Sequence, residues 1–241
     1  MGKVRISVAL ASYNGENYIR EQMDSILANL SGEDEIVVSD DGSKDCTLEI
    51  LKEYEEGRVP VKVLKGPGKG IKKNIENAMR NCQGEYIFLA DQDDVWREDK
   101  VEFVMPFLEK GCTLVNHDAR VMDGELKNEI MPSFFTYRNS GSGFLRNFVK
   151  NRYMGCCMAF HRKLLPLVLP IPDEIEMHDQ WIGLINDITG GESVFLRQPL
   201  LLYRRHEKNV SDFNHGTVPE MVKKRWILAK ALLRWRKLGK Y

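Results

Sequence analysis

Apolar residues follow two alternating rhythms along the first ninety positions. Arg5 to Ala11 is apolar almost throughout and reads as a strand buried on both faces. Ser12-Tyr13-Asn14-Gly15 is a turn, after which Glu16 to Leu30 places Ile19, Met23, Ile26, Leu27 and Leu30 on one helical face. The cycle recurs. Strand Glu35–Ser39 leads through a turn to a helix near Cys46–Glu55, and strand Val61–Leu64 to a helix carrying Ile71, Ile75, Ala78, Met79 and Cys82. Strand Tyr86–Ala90 ends at Asp91-Gln92-Asp93-Asp94. Strands alternating with helices predict an α/β fold: a Rossmann-like, mostly parallel central sheet flanked by helices. Ligands bind such sheets at the carboxyl ends of the strands. Three of those ends carry polar turns here: Ser12 to Gly15, Asp40 to Ser43 and Asp91 to Asp94.

The rhythm weakens in the second half. Val101–Leu108 reads as helix, Thr113–Asn116 and Tyr153–His161 as strands, Asp179–Ile188 as helix and Pro199–Tyr203 as a last strand. Residues 123–152 show little periodicity and read as loop and short helix, a substrate-specific insert. Near the C terminus, Val222, Trp226, Ala229 and Leu233 form one helical row, and Leu228, Leu232 and Trp235 form another. With no repeat and no Pro/Gly/Ser linker, the pattern predicts one α/β domain over residues 1–215 and a basic amphipathic helix over 216–241.

Composition changes this picture in two ways. Of 241 residues, 43% are hydrophobic and 29% charged, enough for a buried core, which excludes wholesale disorder. The 35 basic and 35 acidic residues balance, and a zero balance argues against a nucleic-acid binder. The balance is uneven, however. From Gly216 onward eight basic residues face one acid, Glu220, leaving the tail at +7 and the body at −7. Such a helix suits an anionic membrane surface and suits equally well packing on the acidic body. No apolar run nears the ~20 residues of a membrane span, and Ile6 to Ala11 is too short for a secretory signal. The five cysteines are odd in number and never spaced C-x-x-C, so a reducing cytoplasm is expected rather than disulfides or a zinc site. Contact with the inner face of the membrane stays open through the tail.

The candidate chemistry lies in the turns. Asp91, Asp93 and Asp94 crowd three carboxylates behind a buried strand, which a divalent cation would relieve. Hard oxygen ligands suit Mg²⁺ or Mn²⁺ shared with a diphosphate; a solvated acidic turn is the plain alternative. Asp40 and Asp41 could accept bonds from a base or a ribose, or simply shape a turn with Gly42. Tyr13 could stack on a base. Asp179, at a helix start, is either a cap or a general base. Arg204 and Arg205 would suit a diphosphate, with His206 beside them.

Seven ordered segments join these signals: ISVALASYNGENYIREQMDSIL, EIVVSDDGSKDCTLEIL, the Gly70-x-x-x-Asn74 pair, EYIFLADQDDVWREDKVE, GCCMAFHRKLL, HDQWIGL and LLYRRHEKN. Together, from about Ile6 to Asn209, the sequence resembles the inverting family-2 glycosyltransferases of GT-A fold. DQDDVW, HDQW and YRRH…N look most like the bacterial rhamnosyltransferase-like branch, which builds surface polysaccharides. The resemblance implies a nucleotide-sugar donor, dTDP-rhamnose or a UDP-hexose, and a glycan or lipid-linked acceptor. It implies that Ala11, Tyr13 and Asp41 hold the base with Asp40 beside them, that Asp91 contacts the ribose, and that Asn74 and Gln92 belong to the donor site. Asp93 would bind Mn²⁺ or Mg²⁺, with His206 as a further metal ligand; Asp179 would be the catalytic base. Trp181 would wall the sugar pocket, His206 with Arg204 or Arg205 would close over the diphosphate, and Gly155 and Cys156 would lie near the acceptor. Inversion needs one in-line attack and therefore one base.

Two rivals compete with this reading. Asp91-Gln92-Asp93-Asp94-Val95 also fits the D-x-D-x-[TV] motif of haloacid-dehalogenase-like phosphatases, with Asp91 as nucleophile. That motif usually follows a first strand, whereas three strand–helix units precede it here. A non-catalytic glycan-binding protein on the same fold is the other rival, and the presence of Asp93 and Asp179 argues against it. The processive-synthase Q-x-x-R-W signature is absent, and Gly66-Pro67-Gly68-Lys69-Gly70 departs from the family's usual loop.

Overall fold

The computed structural model describes residues 4–207, 209 and 217–239. The first half folds as its rhythm predicts. Strands β1 (Ile6–Ser12), β2 (Glu35–Asp40), β3 (Val61–Lys65) and β4 (Tyr86–Asp91) lie parallel in the order β3-β2-β1-β4. Helices α1 (Ile19–Leu27), α2 (Thr47–Lys52) and α3 (Ile71–Asn81) make the crossovers. Both faces of the central strands are covered, which is why they are apolar throughout. Val8 and Leu10 of β1 join one core cluster with α1, while Ala9 and Ala11 join the other with α3.

The second half supplies β5 (Val95–Trp96), α4 (Lys100–Glu109), β6 (Leu114–Met122), β7 (Glu129–Met131), α5 (Phe134–Arg138) and α6 (Phe144–Val149). It continues with β8 (Met158–His161), α7 (Leu165–Val168), α8 (His178–Ile188), β9 (Ser193–Arg204) and α9 (Val218–Lys237). These strands extend the sheet beyond β4 in the order β8-β6-β9-β5, with β7 paired to β6. β8 is antiparallel to both of its neighbours, β9 runs parallel to β6, and β5 is antiparallel to β9.

Strand boundaries move in the second half. The strand expected over Tyr153–His161 keeps only its last four residues, and Gly155–Cys157 form a 3-10 turn. The Asn116 amide captures the Met154 carbonyl at 2.9 Å, so a side chain takes a bond that a neighbouring strand would otherwise make. β6 runs on to Met122, hidden in the sequence by the polar residues His117 and Asp118, both of which are buried. Asp118 accepts bonds from Ser133 and from the Phe135 amide, tying the insert to the sheet. The insert itself holds β7, α5 and α6.

The tail uses two faces for two purposes. Leu228, Ala231, Leu232 and Trp235 are buried in the same core cluster as α3, α7 and α8, and Trp235 Nε1 donates to the Leu167 carbonyl at 2.6 Å. The other row, with Val222, Trp226 and Leu233, stays exposed. The expected boundary at 215/216 lies outside the described residues.

Candidate active site

The carboxyl ends of three adjacent strands meet at Ala11. Its register partners are Ser39 on β2 and Asp91 on β4. The polar turns that follow these strands therefore converge on one edge, as parallel topology requires.

The turn after β2 is saturated with donors. Asp40 is buried, and its carboxylate accepts from the Gly42 and Ser43 amides at 3.1 and 2.8 Å and from the Ser12 and Ser43 hydroxyls at 2.9 and 2.6 Å. It shapes the turn and has no free lone pair of note for a donor. Asp41 accepts from the Gly68 and Gly70 amides at 2.6 and 2.7 Å, which docks the glycine loop against the strand end. Asn74 is likewise internal: its amide donates to the Ser12 carbonyl at 3.0 Å, holding α3 to the end of β1. Gln92 pairs reciprocally with the Tyr13 backbone, accepting at 2.8 Å and donating at 3.0 Å. Gly15 must be glycine for this pair, because a Cβ there would lie 2.3 Å from Gln92 Oε1. The arrangement leaves the Tyr13 ring 54% exposed at the mouth of the site, where a planar base could stack on it.

The turn after β4 is starved of donors. Asp94 is fully buried; Oδ1 accepts from the Arg204 amide at 3.1 Å, and among the described residues Oδ2 has no hydrogen-bond partner. Burial, with Asp93 and Asp91 nearby, holds its pKa well above the usual carboxylate range. Asp91 is pushed up to about 7 by burial, then by Asp93 and Asp179. Lys100 lies directly beneath, with Nζ 3.1 Å from the Cys156 carbonyl and 3.6 Å from the centre of the Trp96 ring. Burial lowers this ammonium to about 8 while the neighbouring thiols and carboxylates pull it up. It is an internal counter-cation, and no periodicity or motif in the sequence marks it out.

β5 explains how Asp93 meets residues more than a hundred positions away. Val95 and Trp96 pair with Leu202 and Leu201, so the turn before β5 lies against the segment after β9. Asp93 Oδ2 sits 2.9 Å from His206 Nε2, and the His206 ring stacks on Tyr18 at 4.7 Å. Both Asp93 and His206 keep an opening to solvent, at 13% and 12% of side-chain area. Arg204 does not join them as a diphosphate ligand. Its guanidinium is consumed by the Asp93 and Gly124 carbonyls at 2.8 and 2.9 Å and by Glu21, which corrects the expectation from its sequence position. Arg205 follows with its amide bonded to the Met122 carbonyl at 2.9 Å.

Asp179 arrives from the other side. β8 is antiparallel to β4, so the turn before β8 meets the end of β4 and brings Gly155 and Cys156 beside Asp91. A Cβ on Gly155 would come 2.7 Å from His178 Nε2, and glycine there lets the start of α8 approach. Asp179 lies inside the first turn of α8 rather than at its cap, which is Met177. Its Oδ1 accepts from the Gln180 amide at 2.6 Å and from Asn151 Nδ2 at 2.9 Å. Burial lifts its pKa to about 6 despite those bonds, which is the range of a general base. Asn151 had no signal in the sequence, since it lies in the aperiodic insert. Trp181 is not brought to the site: it is 1% exposed in the core, with Nε1 bonded to the Val168 carbonyl at 2.9 Å.

Among the described residues, two groupings could hold a cation. Ligand atoms of Asp91, Asp94 and Cys156 lie within 4.8 Å of one another. However, Asp94 and Cys156 are sealed from solvent and both are pushed toward their protonated forms. Asp93 and His206 are open and adjacent, with Asp91 nearby, and offer hard oxygen and imidazole donors that suit Mn²⁺ or Mg²⁺. The donor-poor turn and the open Asp93–His206 pair fit such an ion.

A parallel half-sheet with converging polar turns and a cluster of elevated carboxylates fits a GT-A architecture. Residues 7–167, well over half of the chain, match the family model described as glycosyl transferase family 2, and the chain belongs to that family. That membership displaces the phosphatase alternative. Among curated proteins, the chain is 28% identical to dTDP-rhamnosyl transferase RfbG of Shigella flexneri, covering 83% of this chain and 72% of that one. It is 30% identical to TuaG of Bacillus subtilis, a glycosyltransferase provisionally named for teichuronic acid biosynthesis, over 64% of this chain and 60% of that one. It is 28% identical to an uncharacterised protein of Mycobacterium tuberculosis over 85% of this chain and 60% of that one. The chain thus spans about three fifths of the length of the latter two relatives. S. aureus TarS 1–349 in complex with UDP-GlcNAc matches with a TM-score of 0.72 at 19% identity, covering 95% of this chain and 66% of that one. The mannosyltransferase PcManGT from Pyrobaculum calidifontis, in complex with GDP-Man and Mn²⁺, matches at 0.68 with 16% identity, covering 85% and 58%. At these identities the two structures speak for the fold.

Proposed function

We propose that this chain is a metal-dependent inverting glycosyltransferase. It moves a sugar from a nucleoside-diphosphate donor, dTDP-rhamnose or a UDP-hexose, to a hydroxyl of a glycan or lipid-linked acceptor in bacterial surface-polysaccharide synthesis. The observation that carries the reading is the pairing of two unlike carboxylates. Asp179 is buried with a pKa of about 6, and Asp93 is open beside His206. One carboxylate takes a proton, and the other holds charge for the departing nucleotide.

The nucleotide would lie along the ends of β1, β2 and β4, its base against Tyr13 and the Asp41 loop and its ribose near Asp91. Asp93 and His206 would hold Mn²⁺ or Mg²⁺, which when bound supplies positive charge for the diphosphate. Asp179 accepts the proton of the acceptor hydroxyl as that oxygen attacks the sugar from the face opposite the leaving group. Asn151 and the Gln180 amide keep Asp179 aimed and favour its ionised form. Gly155 and Cys156 line the acceptor side. The name of TuaG supports the polysaccharide context, that of RfbG the dTDP-rhamnose donor, and the Mn²⁺ and GDP-Man in PcManGT support the metal and the donor class. The five free cysteines suit a cytoplasmic setting.

A donor-hydrolysis screen over dTDP-rhamnose, UDP-hexoses and GDP-Man, with Mn²⁺ or Mg²⁺, tests the reading. One donor should be hydrolysed, and hydrolysis should stop in EDTA. Hydrolysis that persists in chelator would overturn the metal assignment, and failure to bind any nucleotide sugar would overturn the activity.

A further inference from the structure

We propose that the outer face of α9, joined by α6, seats this protein on an anionic lipid surface. The inner row of α9 is already occupied by the core. The outer row, Val218, Val222, Trp226, Ala229 and Leu233, recurs every three or four residues, so it forms one stripe along the helix. Trp226 in that stripe is 63% exposed. α6 adjoins the stripe, where Arg225 Nε donates to the Val149 carbonyl at 2.6 Å. It adds the exposed side chains of Leu145 and Val149, the former 75% exposed.

Charge identifies the occupant. Lys223, Lys230 and Lys237 are exposed on the flank of the stripe, and Lys230 Nζ leans to 5.1 Å from the centre of the Trp226 ring. The acid within α9, Glu220, is turned to the N-terminus, where it accepts from the Thr217 amide at 2.8 Å. An apolar stripe edged by lysines on a convex helix complements a layer of anionic headgroups over acyl chains, with Trp226 at the boundary. Lys224 and Arg234, by contrast, are turned back to Glu176 and Glu174 and fasten the helix to the body.

The same surface leads to the base. Gln180 Nε2 donates to the Asn147 carbonyl of α6 at 2.6 Å, and Asn151, just beyond α6, holds Asp179. A protein resting on α6 and α9 would therefore present the Asp179 side toward the bilayer. This consequence rests on the transferase reading and narrows the acceptor to a lipid-linked one. The lipid contact itself does not depend on that reading.

Co-sedimentation of the full chain with phosphatidylcholine vesicles, with and without phosphatidylglycerol, tests the proposal without any donor present. Binding should require phosphatidylglycerol and should be released by salt. Replacing Lys223, Lys230 and Lys237 by Gln should weaken it by about 100-fold. The double variant Trp226→Glu, Leu233→Glu should abolish it, with an unchanged Tm because both side chains face solvent. Equal binding to both vesicle types, or full binding by the double variant, would overturn the proposal. So would a dimer of the wild-type chain that the double variant dissociates, which would make this face a contact between copies. Vesicle binding without hydrolysis of any nucleotide sugar would leave the surface standing and remove the transferase reading; hydrolysis without vesicle binding would do the reverse.

Discussion

Two acidic turns flank β1, and in sequence they look alike: Asp40-Asp41-Gly42-Ser43 after β2 and Asp91-Gln92-Asp93-Asp94 after β4. The first is built like a folded hinge pin. Four donors converge on Asp40 and two amides on Asp41, so the carboxylates serve the backbone. The second withholds such donors. Among the described residues Asp94 Oδ2 has no hydrogen-bond partner, Asp91 is lifted to about 7, and the Asp93 carboxylate meets the side chains of His206 and Asn209 from the segment after β9. A carboxylate surrounded by N–H groups is spent on structure, whereas one deprived of them keeps electrostatic demand that a cation or a proton must meet. The count of aspartates does not separate the two turns; the count of donors does.

The largest expected break in this contrast lies in Asp179, which receives two donors and yet stays elevated. Asp179→Asn should lower turnover by about a thousandfold while nucleoside-diphosphate affinity, measured by calorimetry, stays near wild type. Asparagine preserves the shape and the helix start, so wild-type turnover would assign the proton to another group. Next, Asp40→Ala should cost about 3 kcal/mol of stability through its orphaned donors, read by urea unfolding. Asp93→Ala should leave the unfolding midpoint near wild type but weaken Mn²⁺-dependent nucleotide binding by about 100-fold. If the two variants exchanged these effects, the contrast between the turns would be wrong.

Smaller effects sharpen the same point through pH. Asn151→Leu removes one donor from Asp179, so the acid limb of kcat/KM, expected near 6, should move upward by about one pH unit. The sign for stability follows from the raised carboxylates. Between the ordinary value of 3.8 and about 7, Asp91 stays protonated in the folded chain but ionises in the unfolded one. Stability of the metal-free protein should therefore fall as pH rises through that window and level off above it. Mn²⁺ should flatten the slope, and a slope of opposite sign in chemical denaturation would contradict the burial argument.

How much of this was legible beforehand depends on distance along the chain. The α/β rhythm, the parallel half-sheet and the convergence of three polar turns follow from local apolar spacing, and each can be read within a window of about fifteen residues. The family resemblance singled out Asp93, Asp179 and His206, and the structure places Asp93 against His206. It set Asp40 beside the base without showing that its carboxylate is taken up by the turn, because that donor supply comes from backbone amides and hydroxyls whose direction is fixed only by the folded turn. It also offered Arg204 and Trp181 as ligands when tertiary packing had taken both, the one with Glu21 and two carbonyls, the other with the core.

By itself, then, the sequence determined the periodicities, the order of strands and helices in the first half, the acidic turns and the basic tail, because these are properties of neighbouring residues. The tertiary structure decided which carboxylates keep their charge unmet, that Lys100 lies beneath them, that Asn151 reaches Asp179, and that α9 buries one row and shows the other. These outcomes depend on burial and on donors brought from distant positions. β5 against β9 brings Asp93 to a residue 113 positions away, and a charge in a low-dielectric interior responds to what lies around it in space rather than to its neighbours in the chain.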